Sequence, residues 1–64
     1  MDAEEVERVA HVLARLPPKQ RAAVVLRVYE ELSFREIGEV LGCAEGAARV
    51  NYHHGIKKLR EMMT

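Results

Sequence analysis

The chain has 64 residues, with 10 Lys plus Arg balanced by 10 Asp plus Glu, 3 His and one Cys. A chain this short forms one small domain that buries only about 60% of its unfolded surface, leaving a marginal core and little room for a substrate-sized cavity. A single thiol excludes an internal disulfide, no Cys/His spacing suits structural zinc, no apolar run nears the roughly 18 residues of a membrane span, and the acidic start is unlike a secretion signal; together these features fit a cytoplasmic protein.

Every segment repeats its apolar residues at helical rather than alternating spacing, so the expected fold is all-α: a small four-helix domain over residues 1–64 that contains a helix-turn-helix. Residues 3–15 make the first helix, with Val6, Val9, Ala10, Leu13 and Leu16 as its apolar stripe. Asp2 can cap its start, the acids of the first turn suit the helix dipole, and Pro17 turns Leu16 away from helical geometry. Residues 18–30 make the second helix. Pro18 fits its first turn, and Ala22, Val25, Leu26 and Tyr29 share one face. Leu32 plugs the core from the exit loop.

Ser33-Phe34-Arg35-Glu36 has the form of a capping box, so a short helix is predicted over 34–41, with Ile37, Val40 and Leu41 turned inward. Gly38 admits a neighbouring helix, and Gly42 has the type and position of a left-handed C-cap. Residues 45–62 make the last and longest helix. Its core stripe is Ala48, Tyr52, Ile56, Leu59 and Met63, with Gly55 costing about 1 kcal/mol relative to Ala. Gly46, Arg49, Val50, His53, His54, Lys57 and Arg60 occupy another arc of the same wheel.

Zero net charge hides an uneven distribution. Residues 1–7 hold Asp2, Glu4, Glu5 and Glu7 and no base, whereas residues 46–60 hold Arg49, Lys57, Lys58 and Arg60 and no acid. Such a run is either a solvated helix face or a local field for an anionic partner. A capped short helix, a glycine-containing turn and a long helix with one apolar and one basic face form the layout in which the second helix enters a DNA major groove. Small helical bundles contain the same three parts, so periodicity leaves both readings open.

Residues in order along the chain then narrow the choice. Leu16-Pro17-Pro18-Lys19-Gln20-Arg21, Leu26-Arg27, Leu32-Ser33-Phe34-Arg35-Glu36-Ile37-Gly38-Glu39-Val40-Leu41-Gly42, Glu45-Gly46-Ala47-Ala48-Arg49 and Lys57-Lys58-Leu59-Arg60 resemble region 4 of sigma-70-family factors. The likeness is greatest to the extracytoplasmic-function group and extends over about residues 13–62. It implies a four-helix domain that reads the promoter −35 element in double-stranded DNA, docks on the β flap of core RNA polymerase and can be captured by an anti-sigma factor. By position, the resemblance puts Arg49, Asn51, His53 and His54 on the DNA side of the recognition helix, and Arg27 and Arg35 at phosphates. The wheel agrees for Arg49, His53 and His54 and sets Asn51 at the edge of the arc. Val50 and Lys57 lie on that arc, and the helix start at Glu45-Gly46 presents free N–H groups to a phosphate. Arg49 is the leading base reader, through a bidentate pair with guanine.

Several positions depart from the family. Ala44 stands where Ser is usual, which removes a cap at a typical cost of about 1 kcal/mol. Ala47 replaces a usual Thr, and Val50 and Asn51 stand where Ser and Arg are common. These departures bear on affinity and on the preferred base sequence. The −10-binding domain of a sigma factor does not fit in 64 residues, so the chain is expected to be an excised fragment or a stand-alone relative. No catalytic set, phosphate loop or paired carboxylate is present, so no enzyme and no cofactor is expected. Cys43 reads as a turn residue without a base beside it, and His53 and His54 diverge by 100° on a helix, which disfavours a shared metal ion. Two further readings stand: a module that binds polymerase or an anti-sigma factor without tight DNA binding, and the related helix-turn-helix of response regulators, which the basic tail fits less well.

Overall fold

The computed structural model describes residues 2–63; the two end residues of the expected 1–64 unit lie outside the described residues. Four helices follow in order: α1 (Ala3–Leu13), α2 (Pro18–Val28), α3 (Phe34–Leu41) and α4 (Glu45–Met63). Among the described residues there is no strand, and no helix is long and apolar enough to cross a membrane. α4 is the spine: it packs mainly on α2 and α3 and less on α1.

Local chemistry sets the helix ends. The Asp2 carboxylate accepts from the Glu5 N–H at 2.8 Å. α1 ends two residues earlier than its periodicity suggested; Arg15 and Leu16 donate to Val12 and Leu13 in tighter turns ahead of Pro17. Pro18 opens α2, where a missing N–H costs nothing. α2 also stops two residues early, because Glu31 turns left-handed at φ 56° and lets the Leu32 N–H reach back to the Leu26 carbonyl at 3.1 Å. The α3 box is complete: the Ser33 hydroxyl oxygen accepts from Glu36 N–H at 3.1 Å, and the Glu36 carboxylate accepts from Ser33 N–H at 3.0 Å. Gly42 closes α3 at φ 71°, a region that penalises any side chain.

The core has two clusters. Leu13, Leu16 and Val24 form one, with Val9, Val25, Tyr52, Ile56, Leu59 and Met62 packed around them. Ala23, Ile37 and Ala48, all at 0% exposure, form the other, joined by Leu26, Leu32, Phe34, Leu41, Cys43 and Tyr52. Tyr52 belongs to both.

Several expected core positions are corrected. Val6 and Ala10 are exposed, and Val12 is buried instead, because the face of α1 turned to the core runs through Val9, Val12 and Leu13. In α2 the buried pair is Ala23 and Val24, whereas Tyr29, the C-cap just past the last helical residue, is 58% exposed. Val40 is 61% exposed, on the side of α3 turned from α4. Met63 is exposed, and Met62 packs in its place. Gly38 does not admit a helix: a Cβ there would meet the Cys43 carbonyl oxygen at 2.6 Å, so its space is used by the turn folding back over α3.

Gly55 is a closer fit than any expected. It is buried, and a Cβ would lie 2.6 Å from the Val24 Cγ2 and 3.2 Å from the Gln20 carbonyl oxygen. Val24 is buried and β-branched, so it has little freedom to yield. The glycine sets the distance between α2 and α4. Gly46, near the start of α4, has nothing within 4 Å of that position.

The two glycines therefore respond to alanine with opposite signs. Gly55→Ala gains about 1 kcal/mol in helix propensity but loses about 1–3 kcal/mol to overpacking, so the thermal midpoint should fall by several degrees. Gly46→Ala should raise it slightly, since only the backbone-entropy gain operates there. Calorimetric melts of both variants test this; a stabilised Gly55→Ala would mean that the helices are farther apart than described. The capping box gives a second expectation. Donation from the Ser33 backbone N–H, and secondarily its hydroxyl, holds the Glu36 carboxyl below its ordinary value. Because the folded-state value is the lower one, this contribution is present above the ordinary carboxyl range and lost as pH falls through the lowered value. Melting between about pH 6 and pH 3 should show a smaller acid-side loss for Glu36→Gln than for the parent chain.

Candidate nucleic-acid interface

α3, the turn at Gly42–Ala44 and α4 have the helix-turn-helix arrangement, with Ala48 and Ile37 sealed between the two helices. Burial of Ala48 and Gly55, with Tyr52, Ile56 and Leu59 half-buried, fixes the roll of α4. The opposite arc is left outside: Gly46, Arg49, Val50, His53, His54 and Lys57 are all exposed. This is the phase that the wheel gives, and it sets the cationic groups on one face with an open approach.

The individual side chains differ in what holds them. Arg49 lies near Glu45, with Nη2 3.8 Å from Oε1, and its guanidinium carbon is 5.1 Å from the centroid of the Phe34 ring. Both partners of that ion pair are about half exposed, so it is weak and readily exchanged for another anion. Arg27, one helix away, donates from Nη1 to the Leu32 carbonyl at 2.9 Å and also sits over Phe34, at 4.7 Å. It holds the α2–α3 loop while keeping other donors available. Arg35 faces Glu39 at 3.8 Å on the exposed side of α3.

His53 and His54 point to different sides of α4, as successive helical residues must. His53 lies beside Phe34 (6.2 Å between centroids) and edge-on to Tyr52 (5.2 Å). His54 and Lys57 border a shallow groove of about 270 Å³ with Gln20, Lys58 and Glu61. Asn51 is half-buried, and its amide donates to the Ala47 carbonyl of its own helix at 3.0 Å. That bond turns the amide along the helix rather than outward. Ala44 has only a methyl where a capping oxygen would stand, and its carbonyl accepts the Ala48 N–H at 3.0 Å. Among the described residues, no group of three or more His, Cys, Asp or Glu could hold a metal ion, and Cys43 is a half-buried free thiol in the turn.

Phe34 is the site residue that the periodicity overlooked. Its ring touches Tyr52 (5.4 Å) as well as His53, Arg27 and Arg49, so α2, α3 and α4 meet on it. The signal available was a large aromatic at the first position of a capped helix, where the helix itself needs none.

A model of the family described as sigma-70, region 4, matches residues 6–59. The chain is 49% identical over 51 residues to the RNA polymerase sigma factor CarQ of Myxococcus xanthus, covering 80% of this chain and 29% of that one. It is 36% identical over 61 residues to the ECF RNA polymerase sigma factor SigD of Mycobacterium tuberculosis, covering 95% of this chain and 29% of the other. With the ECF RNA polymerase sigma factor ShbA of Streptomyces griseus the identity is 43% over 51 residues, covering 80% of this chain and 27% of that one. The chain thus spans less than a third of the length of these relatives. A helix-turn-helix of this build, a family match over residues 6–59 and relatives 36–49% identical over 80–95% of the chain leave one assignment: the chain belongs to the sigma-70 region 4 family, of the extracytoplasmic-function type.

Proposed function

We propose that this domain reads the promoter −35 element in the major groove and docks on the β flap of RNA polymerase, and so helps direct transcription initiation in the cytoplasm. Region 4 serves transcription initiation and is not an enzyme. The observation that carries the finer reading is the exposed arc of α4: it bears Arg49, Lys57 and Arg60, residues 46–60 hold no acid, and the opposite side is sealed against α2 and α3. A groove admits one helix, whose early residues reach the base edges. Arg49, Val50 and His53 occupy that early stretch. Lys57 lies one to two turns further along, on the same side, where a phosphate would run. Arg27 and Arg35 supply cations from the two preceding helices, and the uncapped start of α4 at Glu45-Gly46 offers backbone N–H groups. Asn51 is peripheral in this reading, because it is bonded to its own helix, whereas His54 borders the same groove as Lys57 and lies with it toward the flanking backbone.

A second reading has its own support. Val6 on α1, Val28 and Tyr29 at the end of α2 and Val40 on α3 are large apolar residues left exposed, and Met63 is exposed at the end of α4 beside Arg60. They suit protein contacts, whether with the polymerase flap or with an anti-sigma factor, and a module using only these would not need tight DNA binding. Salt separates the two readings, since phosphate neutralisation releases counterions and apolar docking does not.

Selection from random duplex DNA, followed by titration of the recovered duplex over a range of salt, tests the proposal. Arg49→Ala should weaken the selected duplex by about 1–3 kcal/mol and relax the choice of base at one position. Equal losses on selected and random duplexes would make Arg49 a phosphate contact. Lys57→Ala should weaken every duplex alike and reduce the salt slope by about one. If no duplex is enriched and binding to the isolated flap survives high salt, the interaction-module reading replaces this one.

A further inference from the structure

We infer that Phe34 is a positioning residue for DNA reading: its ring is the seat on which the Arg49 and Arg27 guanidinium groups and the His53 imidazole are aligned toward the groove. This rests on the reading of Arg49 as a base or phosphate contact.

Four observations converge on the ring. Arg27 lies 4.7 Å and Arg49 5.1 Å from its centroid, His53 lies 6.2 Å away, and Tyr52 braces it at 5.4 Å and 57°. Phe34 itself cannot drift. It is half-buried in the cluster around Ile37, and it follows a completed capping box that fixes the start of α3.

Two guanidinium charges close to one small ring repel each other, so each needs a counterweight. Arg27 has the Leu32 carbonyl and Arg49 has the Glu45 carboxylate. The Glu45 pair cannot persist against DNA, because a phosphate or a guanine edge competes for the same donors and the carboxylate adds repulsion of its own. The ring competes for no acceptor. It attracts the cation through its quadrupole, and this attraction strengthens as water leaves an interface. When Glu45 is released, Phe34 therefore keeps Arg49 in place with donors free, and the side-chain entropy of ordering a long arginine is spent before binding rather than during it.

The test has two arms. In the free chain, NMR of the arginine side chains should place the Arg27 and Arg49 δ-methylene protons upfield of an unstacked arginine, and Phe34→Leu should abolish the displacement while Phe34→Tyr retains it. Against the duplex recovered by selection, Phe34→Leu should lose roughly three- to tenfold in affinity and Phe34→Tyr little. Arg49→Ala should cost less in the Phe34→Leu background than in the parent, because two residues that act as a unit are not additive. Additive losses, or unshifted arginine protons in the parent chain, overturn the inference. If Phe34→Leu fails to fold, the parent-chain shifts decide. If Arg49→Ala leaves binding intact while the Arg49 protons of the parent chain are ring-shifted, the reading of Arg49 has failed rather than the stacking.

Discussion

The contact between α2 and α4 at Gly55 governs the rest of the molecule. A helix interior without a side chain lets Val24 and the Gln20 carbonyl come up against the α4 backbone. Close approach there leaves α4 one rotational setting, with Ala48, Tyr52 and Leu59 facing in. The outward arc follows by subtraction. In this sense the chemistry of the surface is decided on the side away from it: the cations share one exposed face because small residues, Ala23, Ala48 and Gly55, let α2, α3 and α4 pack tightly on the other.

The helix-turn-helix was legible because it is written in local chemistry. Ser33 and Glu36 can satisfy each other within one turn, and Gly42 supplies the one backbone region that other residues resist. α3 therefore has the bounds its caps dictate, and α4 runs one residue past its predicted end. Burial on the shorter helices was less legible. A wheel assigns a face but not the neighbour that covers it, so Val6, Tyr29 and Val40 looked like core until the reach of α4 was known. Gly55 shows the same gap from the other side. Propensity rates it a weakness, and only the distance to Val24 gives its reason.

At the candidate interface, helical spacing assigns the cations a side but not their partners. An exposed Arg49 and an exposed Arg27 look alike on paper. In the fold one is lightly held by a carboxylate that it can exchange, and the other is bonded to a loop carbonyl. Asn51, alike in type to a base reader, turns to its own helix. Such distinctions depend on distances of a few ångströms between segments far apart in the chain, which no spacing rule encodes. Phe34 was missed for that reason: its contacts come from three helices.

The two core clusters share Tyr52 and little else. α1 contributes to the first cluster only and α3 to the second only. Local openings of a small domain follow such seams. Val9 and Leu13 of α1, with Leu16 of the following turn, pack in the first cluster, and Ala23, Ile37 and Ala48 pack together without them. The half that carries the turn thus has its own nucleus, tied to the α1 side through Tyr52 and through Val24, which faces Gly55.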